Sequence, residues 1–115
     1  MLFQIFKNLF SKKMIKNYSV EEVSQVQNNT NIILLDVRTI QERNEFHIEN
    51  SLHIPLNELE LRILELEKHK EKEIICYCRS GSRSLVAASI LSMKKFVSAN
   101  MKGGIVEWYS KFGNK

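Results

Sequence analysis

Two continuous apolar runs, each followed by polar residues, constrain the fold of this chain more than any other feature. The first extends from Ile32 to Val37 and the second from Ile74 to Tyr77. A continuous apolar run of this length fits a strand that is buried on both faces of a parallel sheet. Helical patterns precede, separate and follow the two runs. This order predicts an α/β fold in which helices flank a central parallel sheet on both faces.

Capping patterns and turn residues predict the remaining elements. Ser19 and Glu22 have the capping-box spacing of a helix start, and Asn57 with Glu60 repeats it before a helix that we expect to continue through Lys68. The other predicted elements are a short helix over 41–46, a short strand over 52–54, a helix over 85–91, an extended piece over 97–101 and a last helix over 105–112.

The first residues carry a separate amphipathic pattern. At helical spacing, the apolar side chains of residues 2–12 fall in one arc of roughly 160°. We therefore predict an N-terminal amphipathic helix over residues 1–13, ahead of a single domain over residues 14–115. Docking on the body is the simplest role, and pairing with a second copy or peripheral contact with a membrane surface stays open. Gln4 and Lys7 interrupt the apolar start and no small-residue cleavage site follows, which argues against a signal peptide.

Length, charge and cysteine content argue against several other classes of protein. A chain of 115 residues is long enough for one core and too short for two. Its net charge of +4 comes from basic residues spread along the chain, which argues against a nucleic-acid partner. No apolar run has the roughly 18 residues that a membrane span needs, and no Cys/His grouping has zinc-ligand spacing. A disulfide between Cys76 and Cys78 would be strained, so we predict a reduced, cytoplasmic protein without a metal.

The residues after the second apolar run have the character of an anion-binding loop. Cys78 follows that strand, at the carboxyl end where sites form in open α/β sheets. A loop containing Gly81 then leads into a helix, so several backbone N–H groups can point inward and form an anion nest. Together with Arg79 and Arg83 they favour a thiolate, so we predict a nucleophilic Cys78 with a lowered pKa. Cys76 lies within the strand, where a cysteine usually packs as a small apolar residue.

At this loop the sequence resembles the rhodanese family of sulfurtransferases. The resemblance covers nearly all of residues 18–112, and its matching segments are 34–38 with Glu42, 46–48, 54–56, the loop 77–84 and a closing motif over 102–108. It implies a rhodanese-like fold and a sulfurtransferase without a cofactor. A sulfane sulfur would pass from a small anionic donor such as thiosulfate to Cys78, giving a persulfide, and then to cyanide or a thiol.

The resemblance also implies roles for the loop residues. The substrate-binding residues around the catalytic Cys78 are Arg79, Ser80, Gly81, Ser82 and Arg83. Their backbone N–H groups would hold the persulfide and the leaving sulfite, the arginines would hold the charge of the donor, and the serines would add hydroxyl donors. A shallow loop on so small a domain would leave Cys78 accessible, so the acceptor thiol could be carried by a protein.

Two alternatives to this activity stay open. Cysteine phosphatases place five residues between the cysteine and their arginine, whereas four separate Cys78 from Arg83. The shorter loop disfavours phosphatase or arsenate chemistry, because a tetrahedral phosphoryl group needs a wider ring of donors. The second alternative is a rhodanese-like module that carries sulfur or binds a partner without turnover.

The matching residues outside the loop are expected to be structural. We predict an ion pair between Arg38 and Glu42 that fixes the loop, and a hydrogen bond through which His47 holds a turn. Asn50 stands where the family usually has glycine, and it tolerates a left-handed turn better than most residues.

Overall fold

The computed structural model describes residues 15–113, which form an α/β fold around one parallel sheet. The strands are β1 (Lys16–Tyr18), β2 (Ile32–Asp36), β3 (Leu52–His53), β4 (Glu73–Tyr77) and β5 (Val97–Met101), in the spatial order β1-β5-β4-β2-β3. The helices are α1 (Val20–Val26), α2 (Ile40–Glu45), α3 (Ser82–Met93) and α4 (Gly104–Phe112). This architecture confirms the predicted parallel α/β fold. The helix predicted over residues 1–13 lies outside the described residues.

Two apolar clusters cover the two faces of the sheet. The α3-side cluster contains Leu35, Val37, Ile54, Leu59, Leu66, Ile74, Cys76, Cys78, Ala87, Ala88, Leu91 and Phe96. The α4-side cluster contains Val20, Val23, Leu34, Ile48, Ile75, Tyr77, Ala99, Met101, Ile105 and Trp108. Successive residues of β4 alternate between the clusters, as the side chains of a pleated strand do. Both faces are therefore buried, which explains the continuous apolar run.

Capping boxes begin the first two helices. The Ser19 hydroxyl accepts a hydrogen bond from the Glu22 N–H, and the Glu22 carboxylate accepts one from the Ser19 N–H, as the sequence predicts. Thr39 and Glu42 form the same reciprocal pair at the start of α2. This second cap was not predicted, although a threonine followed three residues later by a glutamate carries the same signal.

The helix predicted from Asn57 through Lys68 is wrong. Two 3-10 segments occupy this region, Leu56–Glu58 and Ile63–His69, and neither has a side-chain cap. Residues three apart in a 3-10 helix share one side, and the residues that pack toward the α3-side cluster follow that spacing: Leu56 and Leu59, then Ile63 and Leu66. An α-helical period fits Leu59, Ile63 and Leu66 equally well, and this ambiguity misled the prediction.

Two residues other than glycine adopt left-handed backbone conformations. Asn50 has a φ of 66°, which confirms that it carries the left-handed turn expected at its position. Lys95 has a φ of 73° and closes α3, where the sequence offers no glycine. Both turns form without glycine, at a small cost in conformational energy.

The topology gives the sheet a switch point between β2 and β4. These neighbouring strands pair in register from Ile32 with Glu73 to Asp36 with Tyr77. The chain leaves β2 toward β3 at one edge and leaves β4 toward β5 on the other side. Ligands of open α/β sheets bind outside the carboxyl ends of strands at such a point, and Cys78 follows β4 there. Within residues 15–113, no helix is long and apolar enough to cross a membrane.

Candidate active site

The Cys78 sulfur lies at the base of the loop between β4 and α3. Its Sγ accepts hydrogen bonds from the backbone N–H groups of Gly81 (3.1 Å) and Ser84 (3.3 Å). The Ser84 hydroxyl oxygen is a further 3.3 Å neighbour of the sulfur. Cys78 is only 1% exposed, so the sulfur is deeper than the shallow loop that the sequence suggested. An acceptor must therefore reach into the loop.

Hydrogen bonds lower the pKa of Cys78 below its ordinary value of 9.0. Burial acts in the opposite direction, because it disfavours the charged form. The Ser84 hydroxyl and the backbone N–H groups of Ser84, Gly81 and Ser80 outweigh it by stabilising the thiolate. Burial raises the pKa of the Cys76 thiol far above that value. Both cysteines are free, and Cys76 packs in the core as predicted.

Ser84 couples the sulfur to a second buried polar group. Its hydroxyl donates to the Asn100 side-chain oxygen at 2.6 Å, and the Asn100 amide donates to the Asn17 side-chain oxygen at 2.9 Å. A serine has one hydroxyl proton. It can serve Asn100 while Cys78 is a thiol and turn to the sulfur when Cys78 is a thiolate.

We expect Ser84→Ala to slow alkylation of Cys78 by iodoacetamide about tenfold at pH 7, the effect of losing one hydrogen bond to a charged acceptor. Only the thiolate reacts, so the rate falls as pH drops through the pKa of Cys78. Raising that pKa moves the whole rate profile to higher pH. Stopped-flow alkylation between pH 5 and 10 measures the shift.

Ser89→Ala is the matched control for this prediction. Ser89 lies on the same helix, is 3% exposed, and donates to the Leu85 carbonyl oxygen rather than to the sulfur. Its profile should coincide with that of the unmodified chain. Coincident profiles for Ser84→Ala and Ser89→Ala would show that the Ser84 hydroxyl does not stabilise the thiolate.

The start of α4 holds the backbone of the loop in place. The Ile105 N–H donates to the Cys78 carbonyl oxygen at 2.9 Å, and the Val106 N–H donates to the Arg79 carbonyl oxygen at 3.2 Å. Gly104 makes this approach possible. A Cβ built on it would lie 2.2 Å from the Arg79 carbonyl oxygen. The closing motif 102–108 therefore packs directly against the loop and helps to fix its backbone.

The two loop arginines have different surroundings. Arg83 makes a two-pronged ion pair with Glu42, with Nη1–Oε1 and Nη2–Oε2 distances of 2.8 and 2.9 Å. Arg79 is exposed, and its side chain has no ion-pair or hydrogen-bond partner among residues 15–113. The predicted pairing of Arg38 with Glu42 is wrong: Arg38 pairs with Asp36, at 2.9 and 2.8 Å.

A buried ionic network surrounds Asp36, the residue at the carboxyl end of β2. Arg38 is 3% exposed and Asp36 is fully buried, so this ion pair lies inside the fold. Arg43, which the sequence analysis missed, lies 3.4 Å from the same carboxylate and donates to the Ser51 hydroxyl at 2.7 Å. The Tyr77 hydroxyl donates to Asp36 at 3.2 Å. Removing one member of a buried pair leaves the other charge uncompensated, so we expect such a substitution to destabilise the fold.

Neither histidine near the site faces the sulfur. The Nδ1 atom of His47 lies 3.2 Å from the Arg43 carbonyl oxygen, which confirms its role in holding a turn. The Nε2 atom of His53 lies 2.8 Å from the Arg38 carbonyl oxygen, a contact that the sequence did not indicate. The roles expected for the other loop residues stay predictions. Ser80 and Ser82 are exposed and Gly81 has a φ of 112°.

Comparison with known proteins identifies one matching family model and several similar sequences. The family model described as Rhodanese-like domain matches residues 19–111. A sulfurtransferase of Allochromatium vinosum is 30% identical over 97 residues, covering 83% of this chain and 89% of that protein. The thiosulfate:glutathione sulfurtransferase of Saccharomyces cerevisiae is 30% identical over 115 residues, covering 88% and 83%.

Solved structures and longer relatives agree with this match. A rhodanese-related protein from Thermoplasma volcanium superposes with a TM-score of 0.77 at 27% identity, covering 84% of this chain and 93% of that one. Other curated relatives are longer. The chain spans 31% of a "Probable molybdopterin-synthase adenylyltransferase" of Porphyra purpurea and 52% of a "Putative sulfur carrier protein" of Bacillus subtilis, which is 37% identical.

Proposed function

This chain belongs to the rhodanese-like family, and from that membership we propose that it moves a sulfane sulfur from an anionic donor to a thiol or cyanide through a persulfide on Cys78. The observation that carries the proposal is the position of the sulfur. It lies at the topological switch point and accepts hydrogen bonds from two backbone N–H groups. Such a sulfur is poised as a thiolate nucleophile.

The first step is attack of the Cys78 thiolate on the outer sulfur of the donor. With thiosulfate, a bond forms between Sγ and that outer sulfur while the sulfur–sulfur bond of the donor breaks. Sulfite leaves with the electron pair. Arg79, which has no partner among residues 15–113, suits the anionic donor and the departing sulfite, as do the amides at the start of α3, which have no acceptor within the helix.

The second step unloads the persulfide. The acceptor thiolate or cyanide attacks the outer sulfur, and the electron pair of the broken sulfur–sulfur bond returns to Cys78. The N–H groups of Gly81 and Ser84 that stabilised the attacking thiolate stabilise it again as the leaving group. Each cycle ends with Cys78 in the form in which it began, so the chemistry needs no added cofactor.

The test is the intact mass of the reduced protein after incubation with thiosulfate. We expect the mass of one added sulfur atom, and we expect cyanide to remove it with release of thiocyanate. The gain should persist in Cys76→Ala, because Cys76 is fully buried and its thiol stays protonated. No gain with thiosulfate or with any other sulfane donor would contradict the proposal.

A sulfur carrier without turnover is the second candidate function. The 1% exposure of Cys78 favours it, since a buried sulfur admits few free acceptors. A similar curated relative is named as a sulfur carrier. A persulfide that forms with thiosulfate but resists both cyanide and small thiols would support the carrier. Rapid discharge to either acceptor supports the enzyme.

The partners in this proposal are a small anionic donor and an acceptor thiol that reaches into the loop. The thiol could belong to a small molecule or to an exposed, extended segment of a protein, because a flat protein surface would not reach a sulfur at the base of the loop. The cytoplasmic location stays a prediction from the reduced cysteines.

A further inference from the structure

The ion pair between Glu42 and Arg83 joins two segments that are 41 residues apart in the chain. Glu42 lies in the first turn of α2, and Arg83 is the second residue of α3. The two nitrogen–oxygen distances, 2.8 and 2.9 Å, are those of a bidentate, charge-assisted pair. The side chains are 36% exposed for Arg83 and 23% for Glu42, so the pair lies at the mouth of the loop.

Glu42 is charged whenever Cys78 can react. The Arg83 guanidinium, together with the Thr39 N–H and hydroxyl, outweighs partial burial and lowers the pKa of Glu42 to about 2. The Cys78 thiolate and the Asp36 carboxylate are the other anions that favour the charged form of Arg83. Asp36 is itself engaged by Arg38. The charges of Arg83 and Glu42 therefore cancel each other at the mouth of the loop.

We propose that Glu42 sets the charge selectivity of the Cys78 site. By neutralising Arg83, it leaves Arg79 as the loop cation without a partner in the described part of the chain, and it weakens the preference of the site for dianions. Donors with one negative charge, such as alkyl persulfides, then compete with thiosulfate. The idea rests on the proposed function for its donors, but its physical content is a charge effect on any reagent that approaches the sulfur.

Glu42→Gln isolates the charge from the fold. Glutamine serves the capping box as well as glutamate does, and its oxygen can still accept from Thr39 and from Nη1 of Arg83, as Oε1 does now. Its amide nitrogen replaces Oε2 and faces Nη2 of Arg83, where it cannot accept a hydrogen bond. The substitution therefore keeps the cap and frees one edge of the guanidinium.

Alkylation of Cys78 by iodoacetate and by iodoacetamide tests the proposal without any sulfur transfer. The two reagents differ by one negative charge, and their rate ratio cancels any change in the thiolate fraction. We expect Glu42→Gln to raise the iodoacetate-to-iodoacetamide ratio about three- to fivefold at low ionic strength, as expected for removing one charge from a partly exposed ion pair that the reagent must pass. The increase should collapse in high salt.

Two further variants make the test decisive. Glu45→Gln removes the same charge from the same helix, and Glu45 has no pair with Arg83, so its ratio should match that of the unmodified chain. Arg83→Gln leaves Glu42 unpaired and should lower the ratio, which keeps the test valid if Glu42→Gln folds poorly. The double variant should restore it.

Equal ratios in Glu42→Gln and Glu45→Gln, with both variants folded, would overturn the proposal. So would an unchanged ratio in Arg83→Gln. These failures are distinct from failure of the proposed function. An alkylated Cys78 with the expected ratios but without persulfide formation would retain the charge selectivity and remove the sulfur chemistry.

Discussion

Cys78→Ser should reduce sulfur transfer from thiosulfate to cyanide by at least about a thousandfold, the scale on which enzymes lose activity when their nucleophile is removed. A serine hydroxyl is almost fully protonated at neutral pH, and a sulfur–oxygen bond would replace the persulfide. Thiocyanate release at saturating thiosulfate measures the loss. The intact mass of the variant should show no added sulfur.

The variant should stay folded, which makes the loss interpretable. The serine oxygen can accept from the Gly81 and Ser84 N–H groups that now donate to sulfur. Cys76→Ala is the paired control: Cys76 lies on β4, two residues before Cys78, and belongs to the same α3-side cluster. It removes a buried sulfur at a cost of about 1 kcal/mol and should keep its transfer rate. Retained transfer in Cys78→Ser would refute the assignment of the nucleophile.

Gly104→Ala should destabilise the fold by about 3 kcal/mol or more, which corresponds to a drop in Tm of roughly 12 to 24 °C for a domain of this size. The added Cβ would lie 2.2 Å from the Arg79 carbonyl oxygen and 2.6 Å from the Ser80 nitrogen. Both atoms belong to the backbone, so no side chain can turn away. The φ of 67° adds strain for any residue with a Cβ.

The same substitution should disturb the sulfur site. Relief of the clash requires the loop to move away from the start of α4, which breaks the hydrogen bonds from Ile105 and Val106 to the loop carbonyls. We therefore expect slower alkylation of Cys78 in the folded variant, measured well below the Tm.

Gly113→Ala is the control for backbone strain. Gly113 has a φ of 64°, and a Cβ there would meet no atom of residues 15–113 within 4 Å. Its cost should come from the backbone conformation alone, about 1–3 kcal/mol, and its alkylation rate should not change. Equal losses of Tm in the two variants would mean that the close approach at Gly104 contributes nothing to stability.

The parts of the fold that could be predicted are those whose signals are local. A strand buried on both faces is apolar throughout, and a capping box needs only residues within four positions, so β2, β4 and α1 follow from short stretches of sequence. β1 was missed because it has three residues, Lys16–Tyr18, of which two are polar and exposed. Its place depends on pairing with β5, far along the chain.

The contrast between local signals and contacts far apart in the sequence also separates the predicted parts of the site from the missed ones. Gly81 and Ser84 lie within six residues of Cys78, so the loop sequence indicates that backbone N–H groups surround the sulfur. The partner of Arg83 cannot be found in this way, because Glu42 reaches it across the switch point of the sheet. Choosing between Asp36 and Glu42 for Arg38 requires side-chain directions, which sequence spacing does not give.

The alternation of side chains along β4 continues into Cys78 and places the ionic network and the Cys78 sulfur on opposite faces of the sheet. The two can therefore differ in how readily they accept substitutions during evolution. Tyr77 packs on the α4 side and anchors the ionic network, whereas Cys78 belongs to the α3-side cluster. Their hydrogen-bond partners differ, because Tyr77 contacts Asp36 and Ser51 whereas Cys78 contacts Gly81 and Ser84. A substitution at Cys78 should therefore remove the proposed sulfur transfer and leave the ionic network intact, and such an inactive protein would keep its surface for other uses.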